Sequence, residues 1–349
     1  MSNIQAVNNS SSDGIDFVEL VKTLWQGKVT VVVCTAVFTI CAIVYALTAQ
    51  QWWTSKAIIT AGQYQNTSNI RNQITNLYAV INDSSKINKV LSSDALLNDY
   101  ITEFNAFDNK KAFIESNEIM KQYAHEAKIT DENKTQFITN WVKKISADLF
   151  IKNQPGVYQL SFEATSPKSA YELLTVYSEY ISNKVRDNLI KEIDAKISYN
   201  KQVLEANKRA FYARAKQKLD NELIKTKYAL DMAKSADVIK PLSEMNANEM
   251  FQIQLGTDAL TEKSQLLEKV KDLSIFEPQL GIIDSQLELL SKIKLDSNIK
   301  VQSVRYLQNT DYPYSRDEPK RGLIVLLSFI IGLTLGSFIV IIKNTIKFK

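Results

Sequence analysis

Between Pro167 and Pro241 the chain carries no other proline and no glycine. Those two residues disfavour a helix interior most, by roughly 3 and 1 kcal/mol relative to alanine. The interval is rich instead in Ala, Leu, Lys, Glu and Gln, all good helix formers. Ser166 stands at an N-cap position, and Pro167 suits a first turn, where its missing N–H costs nothing. The pattern predicts one helix over about 167–237. At about 1.5 Å per residue that is a rod of roughly 100 Å, against a usual helix of about 11 or 12 residues. Function in such a chain is to be sought in reach and assembly.

The rod has a face. Ile190, Ile193, Ile197, Leu204, Phe211, Ala215, Leu219, Leu223, Leu230 and Ala233 recur at helical spacing. Lysines dominate the remainder, among them Lys191, Lys201, Lys208, Lys218 and Lys227. A narrow apolar stripe on a charged helix buries against one or two neighbouring helices. The lysine face reads as solvated surface.

Two uncharged runs bracket the chain. Val29 to Ala49 and Gly322 to Ile342 are each about 20 residues, enough to cross a hydrocarbon core of about 30 Å. The first lacks the short core and cleavage site of a signal peptide, so it reads as an uncleaved span. Trp25 and Lys28 anchor its near boundary, and Trp52 and Trp53 its far one. Residues 15–25 read as a short amphipathic helix, and residues 1–14 as a disordered tail. With two spans, the termini share one side and residues 50–321 form a domain on the other. Lys22 and Lys28 outweigh Lys56 across the first span, which favours termini inside.

Within the large loop, Trp53 to Thr60 reads as a strand, and Ile70 to Lys144 as several short helices. Apolar residues two apart at Ala147, Leu149 and Ile151, and at Tyr158, Leu160 and Phe162, predict a β-hairpin turning at Asn153–Gly156. Two helices follow the rod, over about 257–273 and 278–295, then a last strand over 299–307. The first strand leaves the membrane and the last returns to it. A membrane-proximal mixed sheet of both chain ends plus the hairpin closes the base, and the rod forms a stalk. The expected architecture is an α+β membrane protein.

Composition removes several chemistries. The net charge of +4 demands no nucleic acid partner. The nine glycines build neither G-x-x-x-x-G-K-[ST] nor G-x-G. The single histidine, His125, cannot make an H-E-x-x-H site, and Cys34 and Cys41 lie inside the first apolar run. No glycosidase-type carboxylate pair has a local signature. Neither enzymatic activity nor a cofactor or metal is expected. One motif carries content: Gly332 and Gly336 form G-x-x-x-G, which leaves a groove for close helix approach. Upstream, Pro313 and Pro319 stiffen the entry to the second span.

At these residues the chain resembles the Wzz-type polysaccharide co-polymerases, the O-antigen chain-length determinants. Pro313, Pro319, Lys320, Gly332 and Gly336 stand at the spacing of the family's proline-rich segment and span glycines. Thr310 stands where an earlier proline is usual, and Glu318 replaces a serine. Leu24–Lys28, Trp53–Thr60, and Met250-Phe251 with Leu255-Gly256 match further blocks. The resemblance implies a two-pass inner-membrane protein with cytoplasmic termini (1–28 and 343–349), spans at 29–49 and 322–342, and a periplasmic domain. It implies a homo-oligomer without a cofactor that acts on a Wzy-type polymerase, with lipid-linked polysaccharide as a further partner. Longer relatives carry a cytoplasmic kinase, which is not expected in a sequence stopping at Lys349. The alternatives are length control of another glycan, such as enterobacterial common antigen or capsule, a membrane-anchored helical scaffold or sensor, and a periplasmic glycan hydrolase.

Overall fold

A computed structural model of the protein describes residues 17–81, 84–152, 154–241 and 250–347. The expected disordered tail and the hairpin residue Asn153 lie outside the described residues. In chain order the elements are α1 (Phe17–Gln26), α2 (Lys28–Thr48), β1 (Trp53–Ala61), α3 (Ser68–Gln73), α4 (Thr75–Val80), α5 (Ser85–Val90), α6 (Ser93–Asn105), α7 (Phe107–Ser116), α8 (Glu118–Glu126) and α9 (Asp131–Val142). The hairpin β2 (Ile145–Ile151) and β3 (Gln154–Ala164) and the long helix α10 (Pro167–Ser235) follow. The chain continues through α11 (Gly256–Glu268), α12 (Gln279–Ser291), β4 (Val304–Gln308) and α13 (Arg321–Lys347). The four strands form one sheet in the order β2-β3-β1-β4, so both chain ends join the central hairpin.

Helix α10 runs unbroken for 69 residues. The Ser166 hydroxyl accepts from the Ser169 N–H at 3.1 Å, which satisfies one of the free donors of the first turn. The helix stops two residues short of the sequence expectation, without a glycine or proline. Asp237 takes a left-handed conformation (φ 54°), and the Val238 N–H turns back to the Ala233 carbonyl at 3.0 Å. This is a Schellman-type stop with aspartate in the place glycine usually fills.

The contacts divide into two units. The first comprises residues up to Ile59, Phe104–Glu179, and from Tyr306 on. Its core is aromatic: Tyr177 on α10 meets Phe104 at 4.7 Å and Phe113 at 4.9 Å between ring centroids. The Tyr177 hydroxyl donates to the Phe104 carbonyl at 2.8 Å, so the buried phenol is satisfied. Lys110 is also buried here and donates to the Ile145 carbonyl at 2.8 Å. Burial pushes its pKa down, against the opposing pull of Asp148. In the hairpin, Ile145 faces Phe162 and Ala147 faces Leu160 in antiparallel register. The turn is tighter than expected. Ile151 already pairs with Gln154, so Gln154, Pro155 and Gly156 belong to β3 and not to the turn.

The second unit comprises Thr60–Glu103 and Tyr180–Arg305. Along the stripe on α10, Ile193 and Ile197 are buried, and two clusters follow farther on. Ala215 packs with Leu273 and Leu280, flanked by Phe211 and Leu219. Farther along, Ala229 and Ala233 pack with Leu260, flanked by Phe251 and Leu255. The lysine face is solvent-exposed, and part of it is also ion-paired. Lys218 and Lys227 pair across to Glu277 and Glu268 at 3.0 and 2.9 Å, and Lys208 pairs with Asp284, so these lysines flank the stripe. Two boundaries differ from expectation: α11 ends at Glu268, and the last strand begins only at Val304. In the intervening turns Asp272 accepts from the Ser274 N–H and Asp296 from the Asn298 N–H. Among the short helices, Arg71 ties three segments, bonding Thr67, Asn88 and the Leu91 carbonyl at 2.9–3.0 Å.

Gly256 requires its lack of a side chain. Its φ is +75°, and a Cβ would lie 2.5 Å from the Ile239 carbonyl oxygen. The preceding Phe251 packs edge-on to Tyr228, at 6.2 Å between centroids, while Met250 is exposed.

Candidate functional site

The two apolar helices α2 and α13 pack as an antiparallel pair. Gly332 and Gly336 are both buried on α13, and Val340 continues that face. Opposite them, α2 buries Thr35, Ala42 and Ala46. A Cβ at Gly332 would lie 2.9 Å from the Thr35 Cα, and one at Gly336 would lie 2.9 Å from the Val31 Cα. Small residues on both sides bring the two backbones close, as dispersion-driven packing in lipid requires. At one end Gly27 abuts Val340. At the other, the Arg321 Nε donates to the Ala46 carbonyl at 2.9 Å, an acceptor that the end of α2 leaves free. Only 17% of each apolar window is buried, and the outward faces carry Val, Ile, Leu and Phe. A core helix of a soluble domain would be covered; these have the length and exposed apolar surface of membrane-crossing helices.

The segment between β4 and α13 is held against β1 by two aspartates. The Asp311 N–H donates to the Lys56 carbonyl at 2.9 Å, while the Asp311 carboxylate accepts from the Lys56 N–H. The buried Ser55 hydroxyl donates to the Asp311 carbonyl at 2.6 Å. Six residues on, the Asp317 carboxylate accepts from the Thr54 N–H at 3.0 Å, and the Asp317 N–H donates to the Trp52 carbonyl at 3.0 Å. Trp52 and Glu318 then form an antiparallel bridge. The carboxylates therefore extend the ladder on β1 beyond the end of β4. Pro313 is buried in this segment, Pro319 half-buried after a cis bond from Glu318, and Lys320 exposed. Sequence reasoning singled out the prolines and missed Asp311, Asp317 and Arg321. No spacing rule marks an acid whose partner is a backbone N–H more than 250 positions away.

The aromatic anchors separate. Trp25 is 72% exposed, with the Lys28 ammonium 5.5 Å from its ring. Trp52 is engaged by the domain: Lys144 sits 3.9 Å from its ring centroid and Trp141 meets it edge-on at 5.6 Å. Trp53 is half-buried in β1. Among the described residues no cluster of His, Cys, Asp and Glu could hold a metal ion.

A family model described as Wzz, chain length determinant protein, matches residues 13–104. A chain length determinant protein of Escherichia coli is 23% identical over 343 residues, which cover 97% of this chain and 95% of that one. The ferric enterobactin transport protein FepE of E. coli strain K12 is 24% identical over 337 residues, covering 92% and 87%. A solved full-length bacterial polysaccharide co-polymerase superposes with a TM-score of 0.68 at 22% identity, over 95% of this chain and 98% of that one. The chain is related to the Wzz determinants and has their fold. A Wzz dodecamer fitted to a cryo-EM map shares it with a TM-score of 0.51 at 19% identity, over 76% of this chain. The stretch matched by the family model runs through α1, α2, β1 and the short helices α3 to α6. From α7 onward the Wzz likeness rests on the whole-chain comparisons.

Proposed function

We propose that this protein sets the modal length of O-antigen, as a non-catalytic homo-oligomer acting with a Wzy-type polymerase. The observation that carries this reading is the likeness to a chain length determinant along nearly the whole chain, 97% of it, together with the co-polymerase fold. The protein sits in a bacterial inner membrane through α2 and α13, with both termini cytoplasmic and the intervening domain periplasmic. Gly332 and Gly336 hold the two spans in register. Pro313, Pro319 and Lys320, with Asp311 and Asp317, fix how the second span joins the sheet, so that the membrane pair and the domain contact polymerase and neighbouring copies in one geometry. Trp25 and Lys28 seat the near boundary, and Trp52 and Trp53 the far one. Length control of another surface glycan is the same activity on a different polymer.

The test is a lipopolysaccharide gel of a strain lacking the gene beside one carrying it back. A cluster of bands at one length that appears only on complementation supports the reading. Identical ladders refute it for O-antigen and direct the same experiment to the other surface glycans. In that assay, leucine at both Gly332 and Gly336 is expected to disperse the modal cluster at normal protein level. An unchanged cluster removes the two glycines from the mechanism.

A further inference from the structure

The sheet order leaves β2 at one edge and β4 at the other. An open edge is a row of unpaired N–H and C=O groups, and folded proteins usually blunt it. The first half of the β2 edge is blunted. The Asn105 side chain donates to the Ala147 carbonyl at 2.9 Å and accepts from the Ala147 N–H at 3.0 Å, imitating a further strand. Lys110 holds the Ile145 carbonyl in the same way. In an antiparallel ladder the outward-pointing groups recur at every second residue. The register pairs Ala147 with Leu160 and Leu149 with Tyr158, so Leu149 turns its N–H and C=O outward as Ala147 does. Among the described residues, no side chain and no neighbouring element takes the Leu149 pair.

The open half is also apolar. Leu149, Phe150 and Ile151 are 40, 47 and 50% exposed. Phe107, which opens α7 two residues after Asn105, is 50% exposed. Four large apolar side chains therefore stand along one sheet edge, where unpaired backbone adds the capacity to bind a strand.

We propose that the β2 edge from Leu149 to Ile151 is covered by the β4 edge of a neighbouring copy, so that the sheets of successive copies join side by side. The proposal rests on the homo-oligomer of the chain-length reading and gives it a contact surface. Identical copies cross the membrane in one sense, so their symmetry axis runs along the membrane normal. With more than two copies around that axis, each contact joins two unlike surfaces. The sheet supplies two unlike edges on opposite sides. Their directions also agree. β2 starts beside Trp52, whose ring centroid lies 3.9 Å from the Lys144 ammonium, and runs away from it. β4 runs the other way, into the segment that pairs with Lys56 through Asp311 and ends at the bridge from Glu318 to Trp52. Rotation about the membrane normal preserves both senses. The incoming β4 therefore meets β2 antiparallel, the more stable pairing. On β4, Leu307 is 52% exposed and offers an apolar side chain to the contact. Asn105 and Lys110 block the rest of β2, which confines the incoming strand to the open half.

The experiment uses the full-length protein in membrane vesicles, with Cys34→Ala and Cys41→Ala as background. Leu149→Cys is combined in turn with Leu307→Cys, Gln308→Cys and Asn309→Cys, and the vesicles are oxidised with copper phenanthroline. Each copy then carries one thiol at each edge. At least one pair should give a ladder of dimers, trimers and larger species on a gel without reductant, while Leu149→Cys alone gives no dimer. No ladder from any of the three pairs overturns the proposal. So do dimers from Leu149→Cys alone, which would mean that the edge meets its own kind, or linkage of that thiol to a different protein. Leu149→Lys with Ile151→Lys tests the apolar contact at exposed positions. The melting temperature should hold, while the oligomer in detergent should dissociate at a protein concentration at least about tenfold higher, as on loss of an interface hot spot. An unchanged dissociation midpoint overturns the proposal. Native mass spectrometry of the unmodified protein is read separately. An oligomer whose edges do not cross-link defeats only this contact, whereas a monomer defeats the homo-oligomer reading and this contact with it.

Discussion

Cys34 makes the packing of the two membrane helices testable through covalent chemistry. A Cβ built at Gly336 lies 3.2 Å from the Cys34 Cβ and 2.9 Å from the Val31 Cα. Disulfides span Cβ–Cβ distances of about 3.5–4.5 Å, with a mean near 3.8 Å. Gly336→Cys must push the helices apart to clear Val31, and a separation of roughly 0.6 Å brings the two Cβ atoms into the bonding range. Over-packing of this kind costs about 1–3 kcal/mol, which a helix hairpin can absorb. With Cys41 replaced by alanine, mild oxidation of the Gly336→Cys protein should therefore yield an intramolecular disulfide between Cys34 and the introduced thiol. After proteolytic cleavage in the loop between the spans, the two membrane fragments should migrate together without reductant and apart with it. Gly322→Cys is the control, because nothing lies within 4 Å of a Cβ there. Fragments that separate, or cross-links found only between chains, would mean that Gly336 faces another molecule and that the intrachain pairing is wrong.

Other outcomes follow from the same contacts. Asp311→Ala leaves the Lys56 N–H without its carboxylate and should cost about 1–3 kcal/mol in denaturant unfolding, with Asp311→Asn milder because it retains an acceptor oxygen; equal stability of all three proteins would dismiss the contact between Asp311 and β1. Gly256→Ala combines a positive φ with a carbonyl contact and should destabilise by about 1–3 kcal/mol, lowering the melting temperature clearly; a neutral result would contradict the close approach to Ile239. Burial, then the charges of Glu192 and Glu103, raise the pKa of Asp99. The folded state then holds this proton more tightly than the unfolded chain, so stability falls as pH rises from 3.8 through the raised value. Asp99→Asn should remove that slope and melt higher at neutral pH, and an unaltered pH profile would count against the acidic contact.

The amino-acid sequence by itself determined the elements with strong local causes. An interval free of Pro and Gly made α10, two uncharged runs made α2 and α13, and apolar alternation made the hairpin, because propensity and periodicity act within a few residues. The glycines of the second span were legible as a packing face. Tertiary structure alone decided that this face meets Val31 and Thr35 of the same chain, that Asp311 and Asp317 continue the ladder on β1, and that lysines of α10 reach Glu268 on α11 and Glu277 just before α12. It also decided how elements are bounded: Asp237 closes α10 in a left-handed conformation, and Asp272 and Asp296 cap turns that lie after α11 and before β4. The Tyr123–Trp141 stack and the unpartnered hydroxyl beside it had no sequence signature. The physical reason is common to these cases. A carboxylate, a phenol or a glycine declares its partner only when residues distant in sequence converge, and that convergence is set by the summed burial of the whole fold and not by any window of the chain.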